Sequence, residues 1–340
     1  MNKATDLANL PLEGIDILED DIMRVSPQLL AALLRDHTTG KNIMWATNDY
    51  AALGPGYTFS DEITPERITG EHGCLIMPRI YKSKDVQTER KKDKAEIFTP
   101  SWICNAQLNL IDEAWFGRSS AFNSENPDHT WEASKENITF PTGKTWKDYV
   151  RDTRLEITCG EGPYMVSRYD TTTGQPIPLE QRIGIIDRKL RVVGENTETT
   201  GEWLNWAHEA FMSTYGYEWQ GDSLLLARET LLYTFVEYYR AKFGANPLLK
   251  SLNFTAYIVS WNVFQMDGLK GVVPGSCGDK PAPQDMFQIP IPCEGCRTGD
   301  IHRHNGTYCL LRDWHAASPK GEGPGKKIRF IDLMQRRRER

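Results

Sequence analysis

No apolar run in the 340 residues approaches the ~20 positions that a membrane-crossing helix requires, which excludes a chain held in a bilayer by such a helix. The first residues, Met1-Asn2-Lys3-Ala4-Thr5-Asp6, lack the basic-then-apolar pattern of a secretory leader, so the expected compartment is the cytoplasm. Positive charge is also short. Against 46 Asp and Glu there are 40 Lys and Arg, and the net charge of -6 excludes unaided coating of nucleic acid by bulk electrostatics. Local basic runs remain at Lys82–Lys94 and from Lys326 to Arg340, where contact with phosphate or an acidic partner competes with a plain solvated surface. Repeats of fixed period are absent, which excludes solenoids and propellers. Disulfides are not expected: the cysteine count of seven is odd, and Cys74, Cys104 and Cys159 lie scattered in apolar surroundings, as buried thiols do. His302, His304 and His315 have no Ser or Cys nucleophile in a partner pattern, and no Glu-x-Lys strand with paired carboxylates suggests a nuclease.

What is present is a chain long enough for one large domain or two smaller ones, with 39% hydrophobic and 25% charged residues. Residues 1–92 read as an N-terminal α+β extension, with a helix near Ser26–Leu34 that Ser26 can cap and Pro27 can open, followed by short strands and turns. Apolar residues spaced at 103, 107/108 and 111 (Ile103, Leu108, Ile111) predict a helix from Ser101 to Asp112, capped by Thr99 or Ser101, and the polar stretch Arg118–Asp128 reads as a loop. From about residue 150 strand and helix signals alternate, as in an α/β fold. Strands are predicted at Leu155–Thr158, Thr214–Trp219 and Phe254–Trp261. Helices are predicted from Gly162 toward Tyr169, at Arg182–Arg191, at Glu202–Thr214 and at Leu224–Val236. Beyond residue 272 the chain is rich in Pro and Gly, and 273–340 reads as a loop-rich Cys/His element.

The stretch from Leu155 to Tyr164, Leu-Glu-Ile-Thr-Cys-Gly-Glu-Gly-Pro-Tyr, reads as a strand entering a Gly-x-Gly turn with a carboxylate on the strand. Glycines there let backbone N–H groups approach a nucleotide-sized ligand. Two further polar features follow in order, Glu218 with Trp219 and Asn262 with Asp267. At the carboxyl ends of parallel strands a carboxylate can accept ribose hydroxyls, an indole can cover a purine, and Asp267 can accept a hydrogen bond from its exocyclic amine.

With these motifs the chain resembles the amino-group DNA methyltransferases that use S-adenosylmethionine, in particular the adenine-N6 type of restriction-modification systems and proteins labelled as their modification subunit. The resemblance covers about residues 90 to 270. Phe98, Thr99 and Pro100 look like the family's first cofactor motif, which precedes a helix and contacts the methionine end. Glu156, Cys159, Gly160 and Gly162 look like its glycine turn, Glu218 and Trp219 like its ribose strand, and Asn262 to Leu269 like its adenine-contacting segment. The resemblance implies a Rossmann-like methyltransferase fold over 93–272 and places the cofactor on those residues. One departure is large: the catalytic Asp/Asn/Ser-Pro-Pro-aromatic motif is missing, since no Pro-Pro dipeptide occurs in the chain. Asn246-Pro247-Leu248-Leu249 lacks the second proline and the aromatic, and reads as a turn. Lys327–Leu333 reads as a strand near the place of a fourth sheet strand. The implied enzyme is split. This chain carries the cofactor pocket and no catalytic residues, and a second subunit with an Asn-Pro-Pro-Tyr-type motif supplies catalysis and recognition of double-stranded DNA. The alternative is a non-catalytic methyltransferase-like scaffold, or DNA-binding assembly protein, with a zinc module.

Cys293-Glu294-Gly295-Cys296 has knuckle spacing, with Cys277 before it and His302, His304 and Cys309 after it. Two readings stand. Cys277, Cys293, Cys296 and Cys309, or three thiolates with an imidazole such as His304, meet the tetrahedral demand of a structural zinc. Otherwise the Cys-x-x-Cys is a turn and Cys309, within Tyr308-Cys309-Leu310-Leu311, is packed in a core.

Overall fold

The computed structural model describes residues 9–94, 99–279, 290–318 and 323–335. In chain order the elements are α1 (Glu19–Val25), α2 (Pro27–Leu34), α3 (Pro65–Ile68), α4 (Lys84–Lys94), α5 (Ser101–Phe116), β1 (Asn123–Glu125), β2 (Trp131–Ala133) and α6 (Trp146–Arg151). There follow β3 (Arg154–Glu156), α7 (Ile185–Asn196), α8 (Thr200–Met212), β4 (Thr214–Glu218), α9 (Gly221–Phe243), α10 (Leu249–Asn262) and β5 (Val263–Gln265). The C-terminal element adds α11 (Glu294–Thr298), β6 (Leu310–Asp313), β7 (Lys326–Arg329) and α12 (Phe330–Gln335). The fold is mixed α/β, with helices around small sheets.

The sheet that matters for function is β3-β4-β5, parallel throughout, with Glu156 opposite Gly216 and Glu218 opposite Gln265. Alternation across the pleat puts Tyr215, Tyr217, Phe264 and Met266 on one face, where Cys309, Leu311 and Phe330 of the C-terminal element cover them. Glu156, Gly216 and Glu218 share the other face. A side chain at Gly216 would meet the Met165 Cε at 3.0 Å and the Cys159 Sγ at 3.4 Å, so the glycine turn packs directly on this face. Behind it lies α9, buried almost without interruption from Gly221 to Val236. Such a helix needs apolar neighbours all round, and it has them in a core running from Leu29, Leu33, Ile43 and Trp45 in the N-terminal segment to Trp314.

Several sequence expectations give way here. Phe254–Trp261 is not a strand but the body of α10, because helical spacing lets Leu252, Thr255, Ala256 and Val259 all reach the core, and this packing overrides β-propensity. Gly162–Tyr169 forms turns, with the Val166 N–H donating to the Gly162 carbonyl and no regular helix following. Lys327–Leu333 divides between β7 and α12. β7 pairs antiparallel with β6 in a separate ladder and does not extend the parallel sheet. Arg118–Asp128, expected as loop, contains the short strand β1. At the start of α2 Pro27 opens the helix as expected, but Ser26 makes no side-chain cap bond. Pro100, not Thr99 or Ser101, precedes the first turn of α5. Among the described residues no helix is long and apolar enough to cross a membrane.

Arg228, fully buried on α9, ties the layers together. Its guanidinium donates to the carbonyls of Val263 (2.7 Å), Leu33 (2.5 Å), Arg35 (3.0 Å) and Ser260 (3.1 Å), so β5 and the ends of α2 and α10 converge on one side chain. Removing it orphans four carbonyls at ~1–3 kcal/mol for each one left without a donor. Arg228→Leu is therefore expected to lower unfolding free energy by several kcal/mol in urea titrations, and Arg228→Lys by less. A loss of under ~1 kcal/mol for the leucine variant would contradict this role.

Candidate functional site

The carboxyl ends of β3 and β4 open into a cleft of about 1020 Å³. Ligands of parallel sheets bind at such ends. On its floor the chain leaves β3 through Thr158, which is left-handed at φ 47°, and turns at Gly160 (φ 53°) and Gly162 (φ 79°). The turn aims backbone donors at two buried carboxylates. Glu156 accepts the Met165 N–H at 2.8 Å and the Tyr164 N–H at 3.3 Å. Glu218 accepts the Gly160 N–H (2.8 Å) on Oε2, and those of Trp219 (2.8 Å) and Gln220 (3.2 Å) on Oε1. Burial raises the Glu156 carboxyl to about 8; the two N–H donors oppose this, and the charge of Glu218 adds to it. Burial likewise raises Glu218, against its three N–H donors. Burial also pushes the Cys159 thiol well above its ordinary value, which leaves it protonated and unreactive.

Of the residues expected to hold a cofactor, Thr99, Glu156, Cys159, Gly160, Glu218 and Trp219 line the cleft together. Phe98 lies outside the described residues. Pro100 opens α5 beside the cleft, where the Ser101 N–H is held by Asp170 at 2.7 Å. Gly162 is behind the turn, where an added Cβ would meet the Met165 Cε at 3.1 Å and the Ala227 Cβ at 3.5 Å. Asn262 and Asp267 are not brought to the cleft. The Asn262 amide is spent on the Phe211 and Thr214 carbonyls and on the Trp314 indole N–H, at 2.8–3.1 Å. Asp267 caps its own turn, accepting the N–H groups of Leu269 and Lys270.

The other wall comes from residues that sequence reasoning missed. Ala46, Thr47, Asn48, Asp49 and Phe59 of the N-terminal segment face Trp219, whose indole N–H donates to the Ala46 carbonyl at 3.0 Å. Ala46 is itself left-handed, at φ 51°. The Gly221 N–H donates to the Trp45 carbonyl and so fixes this wall to the start of α9. Gln107 and Tyr164 meet at 2.5 Å at the far end. The basic run is partly consumed as structure: Lys82 and Arg90 pair with buried Asp222 at 3.2 and 2.9 Å, while Lys84, Lys91 and Lys92 stay exposed. Burial alone would raise the Asp222 carboxyl, but these two cations hold it well below the usual carboxylate range.

A second cluster lies in the C-terminal element. Cys277, Cys293, Cys296 and His304 bring their ligating atoms within 4.8 Å of one another, a set that could hold a metal ion. The Cys277 Sγ is 3.3 Å from that of Cys293, 3.6 Å from that of Cys296 and 3.4 Å from the His304 Nδ1. Tetrahedral zinc with Zn–S bonds of ~2.3 Å sets S···S near ~3.8 Å, close to this spacing. The fit extends to the backbone: the Asn305 N–H points to the Cys293 Sγ at 3.4 Å, and a Cβ at Gly295 would lie 2.6 Å from the His304 Nδ1. Cys309, expected among the ligands, is instead buried under the sheet with its thiol on the Gln265 carbonyl at 3.3 Å. His304 takes that place, because β-pairing of the Tyr308 region with Val272 draws Cys309 into the core.

Glu156 holds its proton more tightly when folded (about 8) than at its ordinary value of 4.5, so the folded state carries an extra proton between those limits. Its contribution to stability is thus present below the lower limit and is lost as pH rises through the upper one. Glu156→Gln stays neutral, so its stability relative to wild type is expected to rise across that window in denaturant titrations. A pH-independent difference would show that burial does not govern this carboxyl.

No protein-family model, no curated protein and no solved structure matches the chain.

Proposed function

We propose that this chain is the cofactor-binding subunit of a split, S-adenosylmethionine-dependent DNA adenine-N6 methyltransferase of the restriction-modification type, built on a Rossmann-like core. The observation that carries this reading is the pairing of Glu218 with the glycine turn, at 2.8 Å from the Gly160 N–H, at the carboxyl ends of successive parallel strands. The Oε1 of Glu218 is saturated by two N–H groups, while Oε2 keeps a lone pair for a ribose hydroxyl. Trp219 covers the adenine, and Thr99 with the turn at Gly160 frames the methionine side. When bound, S-adenosylmethionine supplies an electrophilic methyl group. This chain's contribution is to position it for in-line transfer and to keep water away.

The catalytic motif comes from a second chain. Support for a completing partner is the outer edge of β3, which no strand pairs among the described residues. Leu155 and Ile157 are 43% and 63% exposed there, beside the cleft. Exposed lysines on α4 supply phosphate contacts in the complex. Purified alone, the chain is expected to bind S-adenosylhomocysteine weakly in ligand-observed NMR and to methylate no DNA. Robust methylation by the single chain would refute the split reading, and absence of any binding at millimolar ligand would refute the cofactor reading.

We also infer that the Cys277/Cys293/Cys296/His304 cluster holds a structural zinc. Four protein ligands close the coordination shell, so the ion staples the element that covers the sheet and takes no part in chemistry. Protein purified without chelator should carry one zinc per chain by elemental analysis. The Cys293→Ser/Cys296→Ser double variant should lose the zinc together with thermal stability, whereas Cys309→Ser should keep the metal. Retention of metal by the double variant would sink the assignment.

A further inference from the structure

We propose that Gln220 reads the purine edge of the bound nucleoside by accepting a hydrogen bond from its exocyclic amine. This rests on the cofactor reading above and assigns a role that Asp267 and Asn262, both committed elsewhere, do not fill. Gln220 immediately precedes α9 and is 5% exposed, yet it lines the cleft. Its side-chain oxygen is buried and has no hydrogen-bond partner among the described residues. A buried acceptor without a donor is uncommon, and at the wall of a ligand-sized cleft it signals a donor that arrives with the ligand.

The surroundings define which donor fits. The backbone N–H groups of Trp219 and Gln220 are both fixed by the Glu218 Oε1, so indole, amide and ribose-binding carboxylate form one rigid corner. Trp219 is steadied by the Ala46 carbonyl, and Phe59 meets it edge-on at 6.2 Å and 61°. Two aromatic walls favour a flat ring. A primary amide presents acceptor and donor side by side, matching an amine next to a ring nitrogen, which is how adenine pairs with Gln or Asn elsewhere. The ligand class is therefore a 6-aminopurine nucleoside, with the base in this corner and the ribose against Glu218.

The test compares S-adenosylhomocysteine with its 6-desamino analogue by ligand-observed NMR titration of the full chain. Wild type is expected to favour the amino compound about fivefold to tenfold, the yield of one hydrogen bond. Gln220→Leu should bring that ratio to about one, and Gln220→Glu, which retains an acceptor, should preserve the preference. Without ligand, Gln220→Leu should melt no lower than wild type, since it removes an orphaned acceptor; a purely structural glutamine would show the opposite. If wild type binds both compounds equally, or Gln220→Leu keeps the ratio, the assignment falls while the cofactor reading stands. If wild type binds neither compound, both fall.

Discussion

A buried positive charge that, among the described residues, forms no salt bridge and bonds to main-chain carbonyls holds this protein together. Arg228 is enclosed on the longest helix and spends its donors on main-chain carbonyls from α2, α10 and β5. Carbonyls at helix ends carry the negative pole of the helix dipole, so a guanidinium there is stabilised by partial charges that need no counter-ion. Burial nevertheless lowers its pKa to about 10, opposed by the charge of Asp36. The geometry follows from this arrangement: α9 cannot shift relative to the sheet without releasing all of these carbonyls at once. The first residues of α9 therefore stay registered with the cleft floor. Lys189 repeats the device on α7, donating to the Asp152 carbonyl and the Ser213 hydroxyl at 2.6 and 2.7 Å.

On the floor of the cleft main-chain groups again satisfy buried side chains, here as donors to carboxyl oxygens. Glu156 and Glu218 are satisfied by main-chain N–H groups of the turn and of the start of α9, not by cations. Lys82 and Arg90 are engaged by Asp222, a turn further along. The cleft thereby keeps acceptors that are oriented but not neutralised by a salt bridge. Left-handed Thr158 and Ala46, on opposite walls, are the conformational cost of aiming these groups.

The floor of the cleft was legible because its chemistry is local. A carboxylate, a glycine turn and a second carboxylate followed by an indole lie within short stretches whose spacing survives folding. The N-terminal wall was not legible, since Ala46–Asp49 and Phe59 carry no pattern of their own and reach Trp219 only through long-range packing. Asn262 and Asp267 stood in the right order along the chain, but order does not say whether a polar side chain faces ligand or backbone. The error at Phe254–Trp261 is of the same kind: β-branched and aromatic residues fill helix positions when three other helices surround them. In the cysteine cluster, the spacing found the Cys-x-x-Cys and Cys277. The choice between Cys309 and His304 depended on a strand pairing that sequence does not display.

That cluster carries one more implication. The glycine within its Cys-x-x-Cys is not in a left-handed conformation, so no turn demands it; it is there because the His304 main-chain N–H and imidazole both lie 2.6 Å from where a side chain would begin. Positions 295 and 304 are thus steric partners although only the latter is a ligand. Because the main chain at 304 closes that space as tightly as the imidazole does, a slimmer ligand at 304, such as a thiol, would not by itself admit a side chain at 295, and the glycine belongs to the path of the chain around the site.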